Sequence, residues 1–254
     1  LNAHADKVGN SIAVGYGYDL KKNISTLKTD LKDYVTASSN LDMVYQLVDE
    51  YFNKGNPKKL DLKGLASEIN KYFDFGTEAK ASALLAQTVN KFESQLDSLL
   101  GYVMPQSRER AALVSIAYNG GIGLLQGDTS DKSIANAIIN DDRVRAWYLI
   151  RYRRNGGGTR SQGIANRRYR ESDMFGLWDN GGPTTTELER FENFLKQVDP
   201  YTTSQSTLQL MRNYEAELTP KTTEANNSRT IDEQINNEIA VKNYFVSKYG
   251  QNQN

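Results

Sequence analysis

Apolar residues recur at helical spacing along most of the chain. Across 41–52 and 77–100 they lie three to four positions apart, which is the spacing of one face of an α-helix. From Arg108 to Tyr118 they cover most of the helical circumference, which predicts a buried central helix. Shorter helices are predicted at 133–139, 144–152 and 164–178.

The first twenty residues follow a different pattern. The turn residues Gly9 and Asn10 precede small and β-favouring residues from Ile12 to Tyr18, which predicts a short β-hairpin. The sequence therefore predicts a mostly α, α+β fold. A small N-terminal hairpin lobe, a long connecting helix near 77–100 and a helical C-terminal lobe are its expected parts.

The segment GGPTTT at 181–186 is typical of a linker. We accordingly divide the chain into a main domain, 1–180, and a helical extension, 181–254. Helices are predicted in the extension at 187–198, 204–218 and 231–249, with a polar gap at 219–230 and a disordered tail at 250–254.

Two apolar stripes run along the extension, one from Leu188 to Leu195 and one from Ile231 to Phe245. About seventy residues with so few core positions do not form a stable domain alone, so the stripes need cover. The main domain is one candidate for that cover. A partner chain in an assembly is the interpretation that we favour at this point.

Composition excludes several kinds of chemistry. The chain of 254 residues has no cysteine and one histidine, His4, so disulfides and thiolate or histidine-rich metal sites are ruled out. We expect no metal and no cofactor. No run of about 18 apolar residues is present, so no membrane span is expected. Lys+Arg and Asp+Glu both total 31, which argues against a nucleic-acid partner.

Arginines concentrate in one part of the sequence. From Arg143 to Arg170 there are nine arginines and no acidic residue. Such a segment forms a positive face for an anionic wall polymer, unless its charges pair with acidic residues elsewhere in the chain. Both interpretations remain open on the sequence.

Three blocks of the sequence resemble the phage-type lysozyme superfamily. They are LNAHADKVGNSIAVGYGYDL, RERAALVSIAYNGG and RYRRNGGGTRSQGIANRRYRESDMFGLWD, and they occur in the family's order. Together they cover most of 1–180, apart from an apparent insertion at about 21–73. Within the superfamily, GYGYDL is most similar to the pesticin-like and secreted-effector branch.

The resemblance implies cleavage of the β-1,4 bond between the amino sugars of peptidoglycan, a reaction that uses two carboxyl groups. Asp6 matches the carboxylate that holds the attacking water; its alternative role is to cap the turn at Gly9. The family's general-acid glutamate is expected ahead of Leu1. Its water-orienting threonine falls at Ala13, and Ser11, on the same strand face, is a weak substitute.

The resemblance also implies residues that contact the substrate. Asn119 and Gly121 match the substrate-facing turn after the central helix, although Asn-Gly also ends helices in general. Tyr16 and Tyr18 either stack on a sugar face or fill the hairpin. The remaining matches to family cleft positions are Ser133, Tyr148 and Arg167, the last being a basic residue that pairs with the catalytic glutamate.

These observations lead to a functional hypothesis. The chain is a muramidase domain of a phage tail or injection apparatus, acting on the bacterial cell wall in the periplasm and bound to other virion proteins through 181–254. It begins with Leu1 rather than Met, which fits a processed module. The alternatives are an inactive lysozyme-like structural or wall-binding module, and a pesticin-like bacteriocin or secreted effector.

Overall fold

A computed structural model describes residues 2–6, 9–35, 38–155, 162–178, 182–202, 204–218, 230–237 and 243. The chain divides into two compact units, Leu1–Lys91 and Phe92–Asn254. Helices dominate, and one small antiparallel sheet lies near the N-terminus. The predicted mostly α, α+β fold is therefore confirmed.

The sheet of the first unit contains three strands, β1 His4–Asp6, β2 Ser11–Val14 and β3 Tyr18–Asp19, in that order. Asp6 lies opposite Ser11, and Ala13 lies opposite Asp19. The tight turn from β2 to β3 has positive φ at both Gly15 and Gly17, a conformation that favours glycine. The predicted hairpin is confirmed and gains a third strand.

Three helices follow in the segment that was expected to be an insertion: α1 Leu27–Leu31, α2 Ser38–Phe52 and α3 Leu62–Ile69. Their apolar faces share one core with the sheet, which includes Ile12, Val14, Leu20, Leu27, Val44, Val48, Leu65, Ile69 and Phe73. The side chain of Asn70 accepts from the Ala3 amide at 2.7 Å and donates to the Ala3 carbonyl at 3.0 Å. The segment is thus integral to the core of the first unit.

The helix α4 Glu78–Leu100 matches the predicted long helix at 77–100. The helical elements that follow it include all the predicted helices in order, together with a short helix at 123–126 and a 3-10 turn at 130–132 that were not predicted. They are α5 Arg108–Gly120, α6 Gly123–Gln126, a 3-10 turn Ser130–Lys132, α7 Ile134–Ile139, α8 Arg143–Tyr148, a π-helical turn Leu149–Arg153, and α9 Gln162–Phe175.

The central helix α5 begins where the hydroxyl of Ser107 accepts from the Arg110 amide at 3.1 Å. It packs against α9 and buries Ala112, Leu113, Ile116 and Ala117. It ends at Gly121, whose φ is 88° and whose amide donates to the Ala117 carbonyl at 2.7 Å. A Cβ at Gly121 would meet no atom within 4 Å, so backbone conformation, not space, favours glycine there.

The extension belongs to the second unit and contains α10 Thr185–Lys196, α11 Thr207–Leu218 and a helical segment at 231–237. A capping box starts α10: the Thr184 hydroxyl accepts from the Glu187 amide at 3.2 Å, and the Glu187 carboxylate accepts from the Thr184 amide at 2.8 Å. Paired side-chain caps of this kind fix a helix start.

The first apolar stripe of the extension is buried inside this unit. Phe191 contacts Trp178 edge-on with ring centroids 5.4 Å apart, and Phe194 contacts Tyr148 at 5.3 Å. A partner chain is therefore not what covers this stripe, and that prediction is wrong for it. The cover comes from the chain itself, because α8 and the end of the main domain present aromatic rings to α10.

The remaining predictions for the extension are tested over only part of their range. Of the second stripe, Ile231 is fully buried, and the predicted helix at 231–249 is seen over 231–237. The tail at 250–254 lies outside the described residues, and the boundary at 181 stays a prediction. In the described part of the chain, every helix is too short or too polar to cross a lipid bilayer.

Candidate functional site

A buried carboxylate joins α5 to α9 in the second unit. The side chain of Glu171, on α9, is 3% exposed. It accepts a hydrogen bond from the Ser115 hydroxyl at 2.6 Å and one from Arg167 Nε at 2.9 Å. The guanidinium of Arg168 donates to its other oxygen. Glu171 thus acts as an acceptor for three side chains, and two of these are charged.

Arg168 extends this network to the end of α5. Its side chain is 1% exposed. Its Nη2 donates to Asn119 Oδ1 at 2.7 Å, and its Nε donates to the Arg154 carbonyl at 2.9 Å. Burial lowers the pKa of Arg168, and the Glu171 carboxylate opposes that shift. An arginine this deeply buried is stable only with a partner such as Glu171.

Arg167 and Asn119 are partly exposed members of this network. The Arg167 side chain is 38% exposed, and its Nη2 donates to the Ser115 carbonyl at 3.2 Å and hydroxyl at 3.1 Å. Asn119 is partly exposed in the last turn of α5, two residues before Gly121. The structure therefore links Asn119 and Arg167 through Arg168 and Glu171, with Gly121 two residues beyond Asn119, and contact of these three residues with substrate stays a prediction.

Ser133 and Tyr148 occupy interior positions instead. The Ser133 hydroxyl caps α7 by accepting from the Asn136 amide at 3.0 Å, and it donates to the Leu125 carbonyl at 3.3 Å. Tyr148 is 1% exposed and donates to the Asp199 carboxylate. Burial raises the pKa of Tyr148. Both hydroxyls are used inside the fold, and contact of either side chain with substrate stays a prediction.

Most of the described arginines between 143 and 170 contact partners within the protein. Arg154 is 9% exposed and donates to the carbonyls of Leu124 and Lys132. Arg153 lies over the ring of Tyr201, 3.7 Å from its centroid. Further arginine–carboxylate pairs are Arg143–Glu109, Arg145–Asp142 and Arg151–Asp173. Pairing with acidic residues is therefore the correct interpretation for Arg143, Arg145 and Arg151, whereas Arg154 is held by backbone carbonyls.

Asp6 ends β1 in the first unit. Its Oδ1 accepts from the Gly9 amide at 3.0 Å. A Cβ added to Gly9 would lie 2.5 Å from Asp6 Oδ2, so the turn fits closely around the carboxylate. The turn-capping role of Asp6 is therefore present in the structure. A catalytic role is compatible with this contact, because Asp6 remains partly exposed.

Ser11 lies opposite Asp6 in the sheet, but its side chain is directed to another partner. Ser11 is 1% exposed, and its hydroxyl donates to Asp19 Oδ1 at 2.5 Å. The same oxygen of Asp19 accepts from the Lys22 amide at 2.9 Å. Sequence reasoning overlooked Asp19, although its place at the end of GYGYD, two residues beyond the glycine turn, was a usable signal.

The two tyrosines of the hairpin have different environments. Tyr18 is buried and donates to Asp30 Oδ2 at 2.6 Å, so it fills the core. Tyr16 is 42% exposed and donates to Glu78 Oε1 at 2.6 Å. Of the two, only Tyr16 is exposed, and stacking on a sugar stays a prediction for it. Within the described residues, no group of three His, Asp or Glu side chains could hold a metal ion.

A small β-sheet, a long helix and a buried central helix packed on α9 define a mostly α, lysozyme-like α+β protein. Comparison with protein families gives the more specific result. Residues 64–171 match the family described as Phage lysozyme, which confirms the resemblance to the phage-type lysozyme superfamily. At the family level this match supports a lysozyme-like muramidase acting on the peptidoglycan of the cell wall. No curated protein and no solved structure matches the chain.

The matched segment is somewhat less than half of the chain and runs from α3 to α9. It contains Asn119, Gly121, Arg167 and the buried Glu171 network. Asp6, Ser11 and Tyr16 lie outside it, so their assignment rests on the resemblance of the first twenty residues alone.

Proposed function

We propose that this chain is a peptidoglycan-degrading muramidase domain that hydrolyses the β-1,4 bond between N-acetylmuramic acid and N-acetylglucosamine. The observation that carries the proposal is the family match at 64–171. Its geometric support is the network around Glu171, which holds Arg167 and Asn119 at the surface.

Asp6 is the proposed carboxylate that holds and activates water. It stands at the end of a strand, and its Oδ1 accepts a hydrogen bond from the Gly9 amide. Asn119 and Arg167 are proposed to bind the glycan, because amide and guanidinium groups donate hydrogen bonds to sugar and N-acetyl oxygens. Glycoside hydrolysis uses two carboxyl groups, and Asp6 is the one that we assign in this chain.

An assay on purified, dye-labelled sacculi tests this proposal, with the protein in the full form that its gene encodes. Asp6→Asn keeps an oxygen that accepts from Gly9 but removes the charge that activates water, so dye release falls at least about tenfold while Tm changes little. Asp74→Asn is the matched control, because Asp74 also caps a glycine amide, at 2.9 Å from Gly76. Full activity of Asp6→Asn would remove Asp6 from the mechanism.

A second candidate function is a wall-binding module without catalysis. One observation favours it: Ala13 stands where the family has its threonine, and the hydroxyl of Ser11 is buried and donated to Asp19. This candidate predicts that the protein sediments with sacculi and releases no dye. Release by the wild type that Asp6→Asn abolishes would exclude it.

We also propose that the domain works in a phage tail or injection apparatus, to which 181–254 attach it. The support is the phage-lysozyme match together with α10 and α11, which lie beyond the matched segment. Mass spectrometry of particles assembled by cells that express the gene tests this setting. Detection in the particle supports it, and recovery only as free secreted protein supports the bacteriocin alternative.

A further inference from the structure

The orientation of the Asn119 amide is determined by its neighbour. Asn119 Oδ1 lies 2.7 Å from Arg168 Nη2. A guanidinium has only donors, so the atom of Asn119 that faces it is the oxygen and not the nitrogen. The Nδ2 group is therefore turned away from Arg168, and within the described part of the chain it has no hydrogen-bond partner.

Arg168 itself is held at all three guanidinium nitrogens. One contacts Glu171, one contacts Asn119, and Nε contacts the Arg154 carbonyl at 2.9 Å. Glu171 is fixed in turn by Ser115 and Arg167. A side chain with 1% exposure and this many partners has no alternative rotamer that keeps them, so the Asn119 oxygen stays engaged.

Two side chains near the end of α5 consequently offer hydrogen-bond donors. Asn119 presents Nδ2, and the partly exposed Arg167 presents a guanidinium. We propose that Arg168 and Glu171 are positioning residues that make Asn119 a donor-only contact, which selects the carbonyl oxygen of an N-acetyl group over a free amine. This inference rests on the proposed function, since it concerns how the same site recognises its glycan.

Two probes separate these groups. Oligomers of N-acetylglucosamine carry the acetyl carbonyl, and their deacetylated counterparts carry an amine at the same carbon. Isothermal titration calorimetry gives a Kd for each, and the ratio of the two is the quantity of interest. We expect the wild type to bind the acetylated oligomer more tightly, by about tenfold for one hydrogen bond made or lost.

Asn119→Asp is the decisive variant. An aspartate oxygen still accepts from Arg168, but the outward group becomes an acceptor with negative charge. We expect the preference to reverse towards the deacetylated oligomer, while Asn119→Ala binds both oligomers weakly. Asn119 lies at the partly exposed end of a helix, so both variants should fold.

The positioning role is tested at Arg168. Arg168→Met frees the Asn119 amide to rotate, so the ratio of the two affinities falls towards one, and Arg168→Lys restores part of it by donating to the same oxygen. If the role of Arg168 is purely structural, Arg168→Met binds both oligomers more weakly by the same factor, and the ratio of the two Kd values stays unchanged. That outcome would contradict the positioning role.

The inference is overturned if Asn119→Asp keeps the wild-type preference, or if the wild type binds both oligomers equally or neither. Its failure is distinguishable from failure of the proposed function, because the titration measures binding and the sacculus assay measures hydrolysis. A wild type that shows the acetyl preference without releasing dye would uphold the inference and reject the muramidase activity.

Discussion

Tyr148 joins the main domain to the extension through one buried hydrogen bond, and removing it has a calculable cost. Tyr148→Phe deletes the hydroxyl that donates to Asp199 and keeps the ring that packs on Phe194. Asp199 is fully buried, and in the variant its Oδ1 still accepts the hydrogen bond from the Tyr201 amide, which is 2.8 Å long. Because hydrogen bonds to charged groups contribute about 1.5–3 kcal/mol, we expect a loss of about 2 kcal/mol in the free energy of unfolding.

Urea unfolding followed by tryptophan fluorescence measures this loss selectively. Both tryptophans, Trp147 and Trp178, belong to the unit Phe92–Asn254, so the signal reports that unit alone. Tyr102→Phe is the matched control: Tyr102 lies in the same unit and is 45% exposed, so its variant should stay within about 0.5 kcal/mol of the wild type. A Tyr148→Phe protein as stable as this control would refute the buried hydrogen bond.

Two further predictions concern pH. Burial raises the pKa of Glu215 above its ordinary value of 4.5, so the folded state binds the proton of this carboxyl more tightly than the unfolded state does. The wild type therefore gains stability relative to Glu215→Gln as pH falls from 7 towards 4.5. Urea midpoints of both proteins at several pH values check this, and a difference in midpoint that stays constant with pH contradicts it. The Arg110 guanidinium lowers the pKa of Asp97. Asp97→Asn therefore destabilises the protein at pH 7, and the difference in stability between this variant and the wild type shrinks as pH falls below about 4. An unchanged urea midpoint of the variant at pH 7 would contradict the pairing of Asp97 with Arg110.

Strong local patterns account for the parts of the fold that the sequence predicted. The apolar stripe of α4 and the nearly all-apolar face of α5 place those helices within a few residues of their observed ends. Gly9-Asn10 marks the turn between β1 and β2. In each case the signal lies within a short window of sequence, where periodicity and turn chemistry are decisive.

The side-chain environments depend on distant partners and were not predictable in the same way. Arg168 meets Asn119 across 49 positions and Tyr148 meets Asp199 across 51. The arginine-rich segment suggested a positive surface, but burial of Arg151 and Arg154 shows that charge density in sequence does not imply exposure. The docking of α10 was missed for the same reason, since an apolar stripe does not identify what covers it.

The chemical nature of the product ends shows which glycosidic bond the protein cleaves. Sacculi are digested with the wild type, reduced with borohydride and analysed by mass spectrometry. We expect soluble muropeptides that end in reduced N-acetylmuramic acid, since water adds to that sugar when the β-1,4 bond to N-acetylglucosamine is hydrolysed. Products that end in reduced N-acetylglucosamine or in an anhydro ring, or no soluble products at all, would contradict this expectation.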